Sequence, residues 1–310
     1  MENKDYIYEN YLNMARNFVS SKDYIKALKF YQKAYKFDEG QKDIELILDM
    51  ALLYDKLGFK ELAEEKYRRI IEIDSSDARA YYGIGVIYDE LENYKEAIKY
   101  YKVATEIDKT YDRAYFYLAN AYDELGSKED AIKNYKLTLD LVPKDLWANA
   151  NLGSIYEEIG DYNKSLYYMG KALETNPKHY KILYNMGVIY KALGNYEKAE
   201  FYYRESIKED KEYSFSYLNL SIIYKEDGKY SEAIDIISEG IENNYDEAFL
   251  YYNRCCFYIN AGEYKKAIKD LYKSIELNDF FLDYMIKDKE IDELRRFDEY
   301  NDLIRSKFLI

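Results

Sequence analysis

The stretch Gly83-Ile84-Gly85-Val86-Ile87-Tyr88 begins like a phosphate-cradling loop, in which closely spaced glycines let backbone N–H groups approach a pyrophosphate. The third glycine of such a loop is missing, Tyr88 stands in its place, and no strand-like run precedes it, so phosphate binding is not expected. Acid–base or nucleophilic chemistry has a single histidine to draw on, His179, with no serine–acid or cysteine–histidine constellation recognisable around it. The two cysteines, Cys255 and Cys256, are adjacent, a spacing that suits neither an ordinary structural disulfide nor a CxxC metal site. Carboxylate pairs are frequent, yet nothing in their pattern marks one as buried, and solvated helix faces account for them. The sequence therefore predicts no catalytic residue, no metal site and no cofactor, and the chain is not expected to be an enzyme.

Charge narrows the partners. Lys and Arg number 45 against 59 Asp and Glu, giving a net charge of -14 and a pI near 4.8. Repulsion from phosphate weighs against nucleic acid, and no basic run offsets it. No apolar stretch approaches the roughly 20 residues that span a bilayer, and the start MENKDYIYEN lacks a basic-then-apolar leader, so a cytoplasmic protein without membrane insertion is expected.

The residues that position any site recur with a fixed period. Tyr54, Tyr88, Tyr122, Tyr156, Tyr190, Tyr224 and Tyr258 are spaced 34 apart without insertion. Ala63, Ala97, Ala131, Ser165, Ala199, Ala233 and Ala267 keep the same step with small side chains only. Gly58, Gly126, Gly160, Gly194, Gly228 and Gly262 form a third ladder, broken at Glu92, and the only prolines, Pro143 and Pro177, are also 34 apart. An earlier copy, with Tyr11, Ala15, Tyr24, Ala27 and Tyr31, is offset by two residues.

Within one period, Tyr81, Ile84, Gly85 and Tyr88 fall at i, i+3, i+4 and i+7 on a first helix, and Ala97, Tyr101, Ala104 and Thr105 repeat that logic on a second. Each period thus encodes two antiparallel helices, with glycine placed to cap the first and small residues where backbones approach. One such pair cannot bury its own apolar face, so neighbours must stack.

These ladders resemble the tetratricopeptide repeat, whose 34-residue unit reads W-x2-L-G-x2-Y, then A-x3-F, then P. The first position here is usually Tyr, Leu or Ile, and the closing Pro survives at Pro143 and Pro177 alone. The resemblance implies an all-α, right-handed α-solenoid of eight repeats, at 8–41, 44–77, 78–111, 112–145, 146–179, 180–213, 214–247 and 248–281. A short tail, 1–7, precedes the array, and 282–310 is expected to form a polar helical cap.

In this family the first helix of each unit lines the concave surface where partners dock. There, positions 12 and 13 carry Asp55 and Lys56, Asp89 and Glu90, Asp123 and Glu124, and Glu157 and Glu158, an acidic rail that gives way to Lys191 and Lys225 farther on. Alongside it, Tyr82, Val86, Phe116, Asn120, Trp147, Tyr184, Phe215, Leu218, Phe249 and Tyr252 make an apolar, aromatic floor. Asn120 follows Phe116 rather than a lysine and no Arg stands in register, so a clamp for a chaperone C-terminal carboxylate is not expected.

The sequence thus reads as a non-catalytic scaffold binding a protein or peptide segment, basic or mixed basic-aromatic, in a groove. The other readings are a self-assembling structural protein and a peptide-sensing regulator. The last resembles the pheromone receptors of Gram-positive bacteria in the array alone, since no separate effector domain is expected before residue 8.

Overall fold

The periodic pattern resolves into helices with identifiable start and stop signals. Asp43 accepts a hydrogen bond from the Leu46 N–H (3.1 Å) and Asn195 one from Lys198 (3.1 Å), so short polar side chains satisfy otherwise orphaned donors at helix N-termini. At the other end Gly58 adopts φ +82°, its N–H bonds to the Asp55 carbonyl, and the Phe59 N–H reaches back to Tyr54 (2.8 Å). This is a Schellman stop, which needs left-handed backbone that glycine adopts without steric cost. Glu92 occupies the same conformation at φ +57°.

The computed structural model describes residues 2–308 of the 310. It is all-α, with no strand among the described residues, and has the architecture of an α-solenoid. Contacts divide the chain into two compact units, residues 1–148 and 149–310.

The N-terminal unit contains α1 (Glu2–Ser20), α2 (Tyr24–Tyr35), α3 (Ile44–Lys56), α4 (Lys60–Ile73), α5 (Ala78–Glu90), α6 (Tyr94–Ile107), α7 (Asp112–Glu124) and α8 (Lys128–Leu141). Each odd-numbered helix packs on the helix that follows it, and α3, α5 and α7 lie side by side as a row of first helices. The division falls within α9 (Leu146–Glu158).

The C-terminal unit continues with α10 (Tyr162–Thr175), α11 (Tyr180–Ala192), α12 (Tyr196–Glu209), α13 (Ser214–Glu226), α14 (Tyr230–Asn243), α15 (Ala248–Asn260) and α16 (Tyr264–Leu277). The chain closes with α17 (Phe280–Lys287), a 3-10 helix (Lys289–Arg296) and α18 (Asp298–Phe308). This last segment is not polar throughout: Met285, Ile291 and Leu294 are fully buried against Tyr252, Cys256 and Ile259 of α15 and against α16.

The small-residue ladder lies where helices touch. Ala63, Ala97, Ala131, Ser165, Ala199, Ala233 and Ala267 are each 0% exposed. Gly85 shows the limit of this device, because a Cβ there would sit 2.5 Å from the Tyr101 ring, well inside contact distance. The large members of the core are tyrosines: Tyr31, Tyr101, Tyr135, Tyr203 and Tyr217 are fully buried. At the helix-pair edge, rings stack in parallel, Tyr88 on Tyr100 (5.6 Å between centroids, 4° between planes) and Tyr190 on Tyr202 (5.4 Å, 8°). Such packing puts much apolar area into each repeat while phenolic oxygens stay within reach of polar partners.

Candidate functional site

The first-helix row of the N-terminal unit carries Asp55 on α3, Asp89 and Glu90 on α5, and Asp123 and Glu124 on α7. The rail is less acidic than its sequence suggests, because two lysines of the second helices lie against it. Lys60 Nζ contacts both Asp55 (2.6 Å) and Glu90 of the next repeat, and Lys128 Nζ contacts Asp123 (2.7 Å). Lys60 and Lys128 were legible in the sequence as the two lysines at a position where Tyr94, Tyr162, Tyr196, Tyr230 and Tyr264 stand in other repeats.

Asp89 and Glu124 remain without a cation: among the described residues neither meets a Lys, Arg or His in an ion pair. Asp89 is partly buried and accepts a hydrogen bond from the Tyr101 hydroxyl (3.2 Å). Burial holds its carboxyl above the ordinary aspartate value, the Tyr101 bond opposes this, and the charges of Glu124 and Glu90 add to it. The focus of negative potential on this face therefore lies between α5 and α7.

The aromatic floor beside it is half-buried rather than open. Tyr82 packs on Tyr101 (5.8 Å), Tyr111 (5.0 Å) and Tyr117 (5.8 Å), while Phe116 meets Tyr117 edge-on (5.4 Å). Asn120 accepts a hydrogen bond from the Tyr135 hydroxyl, the role that Asp89 plays for Tyr101 one repeat earlier. Val86 is half-buried. Trp147, at the start of α9, is 50% exposed.

In the C-terminal unit the expected site residues fall into different surroundings. Glu157 is partly buried, and burial, with the neighbouring Glu158 charge second, raises its carboxyl above the ordinary glutamate value. Tyr184 accepts a hydrogen bond from the Asn219 amide (3.0 Å), Phe215 stacks on Phe249 (5.4 Å, 16°), and Leu218 is half-buried. Tyr252 differs from the expectation of an open floor position. It is 4% exposed, its hydroxyl donates to Asp288 (2.6 Å), and its ring is covered by Phe281 (4.9 Å) and Tyr284 (5.3 Å). The physical reason is the C-terminal segment, which folds back onto α15 and also pairs Glu290 with Lys225 (2.8 Å).

Replacing the position-12 acid by Lys191 has a further consequence. The Tyr203 hydroxyl, the counterpart of the Tyr101 hydroxyl, is buried with no hydrogen-bond partner among the described residues. No group of three or more His, Cys, Asp or Glu side chains is arranged to hold a metal among the described residues, and there no helix is long and apolar enough to cross a membrane. Cys255 and Cys256 are buried, and burial pushes both thiols well above their ordinary value, opposite to the shift of a reactive cysteine.

Helix pairs stacked in sequence, with first helices side by side as α3, α5 and α7 are in the N-terminal unit, are the architecture of a protein–protein interaction scaffold. The chain belongs to the tetratricopeptide repeat family: models of that repeat match residues 8–41, 48–112, 113–145, 144–212 and 248–280. Among solved structures, YrrB, described as a tetratricopeptide repeat protein with an unusual peptide-binding site, is 26% identical over 60% of this chain and 95% of its own, with a TM-score of 0.53. A tetratricopeptide repeat protein from Parabacteroides merdae (21% identity, 77% and 96% coverage, TM-score 0.59) and pilF of Pseudomonas aeruginosa (16%, 72% and 99%, TM-score 0.60) share the fold. No curated protein matches the chain.

Proposed function

We propose that the chain is a non-catalytic scaffold that binds a basic or mixed basic-aromatic protein segment on the first-helix face of its N-terminal unit. The observation that carries this reading is the contrast within the rail. Asp55, Glu90 and Asp123 are answered by the chain's own lysines, whereas Asp89 and Glu124 are not. A like-charged pair beside half-buried aromatic rings is complementary to a lysine or arginine flanked by an aromatic side chain. The peptide-binding site named for YrrB supports a peptide as the ligand of this array.

The test is a calorimetric titration with a capped peptide of alternating Lys and Phe. Asp89→Asn with Glu124→Gln is expected to weaken binding about tenfold and to flatten its salt dependence; unchanged binding removes the rail from the account.

A second reading, self-association, draws on Tyr167 and Phe201, which are 60% and 57% exposed at equivalent positions of α10 and α12. Light scattering across a concentration series tests it, and a monomer throughout excludes it.

A further inference from the structure

The C-terminal segment does more than cover the last helix pair. Where it folds back on α13 and α15, it borders an open cavity of about 370 Å³ whose lining includes Tyr252, Phe280, Phe281, Tyr284, Asp288 and Glu290, together with groups of α13, α14 and α15. Four of these six side chains are aromatic. Phe280 and Tyr284 are 60% and 47% exposed and lie nearly parallel, 5.9 Å apart at 26°, so the pair offers aromatic surface to solvent.

Elsewhere this chain fills such platforms with its own cations. Arg296 sits over Tyr264 (4.8 Å) and Phe297 (5.3 Å), rings that lie 5.2 Å from one another, and Lys198 sits over Tyr190 (4.9 Å). Among the described residues no cation stacks on Phe280 or Tyr284.

The charges around the cavity favour the same chemistry. Lys225, the basic group in the cavity lining, is held by both carboxylate oxygens of Glu290 (2.9 and 2.8 Å), so its charge is already neutralised. Asp288 accepts from the Tyr252 hydroxyl (2.6 Å) and from the Glu290 N–H (2.9 Å), both neutral donors, and forms no ion pair among the described residues. Lys287 and Lys289 are exposed and do not line the cavity.

We infer that this cavity is a second binding site, separate from the N-terminal acidic face, which takes an arginine side chain of a partner peptide. The planar guanidinium stacks on Phe280 and Tyr284, and its charge is answered by Asp288. Arginine suits this geometry better than lysine because its planar, weakly hydrated cation stacks on aromatic faces and donates in a fork.

The test uses capped tetra-arginine and capped tetra-citrulline, which keep shape and differ in charge, titrated into the full chain carrying Asp89→Asn and Glu124→Gln. In that background competition from the N-terminal face is reduced about tenfold. Saturable tetra-arginine binding is expected, at least tenfold tighter than tetra-citrulline, and reduced about tenfold by Phe280→Ala with Tyr284→Ala and severalfold by Asp288→Asn. Both rings are exposed, so far-UV circular dichroism of the Phe280→Ala, Tyr284→Ala variant should match the parent. Equal affinity for the two probes, no saturable binding, or indifference to removal of the two rings overturns the assignment. None of these results depends on whether Asp89 and Glu124 bind the Lys–Phe peptide, so the two readings fail separately.

Discussion

Replacing Glu92 by glycine should stabilise the protein, although the side chain removed is exposed to solvent. Glu92 is the one break in the glycine ladder, and its φ of +57° matches the left-handed caps at Gly58 (+82°) and Gly126 (+74°). Its N–H bonds to the Asp89 carbonyl (2.9 Å) and Asn93 reaches Tyr88 (2.9 Å), the same stop with a residue that strains to make it. Left-handed backbone costs an L-residue roughly 1–2 kcal/mol. Glycine removes that cost but gains freedom in the unfolded chain worth about 0.4–1 kcal/mol. The difference is a net gain of about 0.5–1 kcal/mol. With a urea m-value of about 3 kcal/mol/M, the unfolding midpoint of this segment should rise by about 0.2–0.3 M. Because repeat arrays need not unfold in one step, amide hydrogen exchange of α5 and α6 should accompany the urea curve and show slower opening. Gly126→Ala is the matching control: a Cβ there meets nothing within 4 Å, so backbone strain alone should lower the midpoint. A neutral or destabilising Glu92→Gly, alongside a harmless Gly126→Ala, would refute the strain argument.

Other perturbations probe the face and the tyrosine core. Tyr203→Phe should be neutral or stabilising, since it deletes a buried hydroxyl without a partner, whereas Tyr101→Phe should cost about 1 kcal/mol by removing the bond to Asp89; chemical denaturation compares them. The Asp89 carboxyl is raised in the folded state, so the fold binds that proton more tightly than the unfolded chain does. Its charge therefore subtracts from stability above the raised value, and the loss is relieved as pH falls through the window above the ordinary aspartate pKa. Carbon-detected NMR titration should place Asp89 above Asp74, which the Ser76 hydroxyl and N–H hold below the ordinary value. Lys60→Met should free Asp55 and Glu90, tighten binding of the Lys–Phe peptide and steepen its salt dependence, with a change in stability below about 1 kcal/mol.

The helix pairs and the family were legible because the pattern is written in residues whose role is steric and local. Glycine at a left-handed cap and alanine at 0% exposure leave little choice of residue, so their spacing carries the architecture. The site was less legible because charge is answered between repeats. Asp55 and Glu90 lie 35 residues apart, yet share Lys60, and helical position does not reveal where a long lysine reaches. Tyr252 was misplaced for a similar reason. Its repeat position is a floor position, but the irregular segment after residue 280, outside the period, folds back and buries it. That same segment brings Phe280, Tyr284 and Asp288 together, a grouping that no 34-residue ladder encodes.

The most direct test of the central claim is zero-length carbodiimide coupling of the Lys–Phe peptide to the intact protein, read residue by residue by mass spectrometry. Coupling forms an amide only where a carboxylate and a lysine amine already touch. The account predicts that Asp89 and Glu124 carry the peptide, and that added salt suppresses those adducts first. Adducts spread evenly over exposed carboxylates such as Glu65 and Glu72, with none at Asp89 or Glu124, would contradict it.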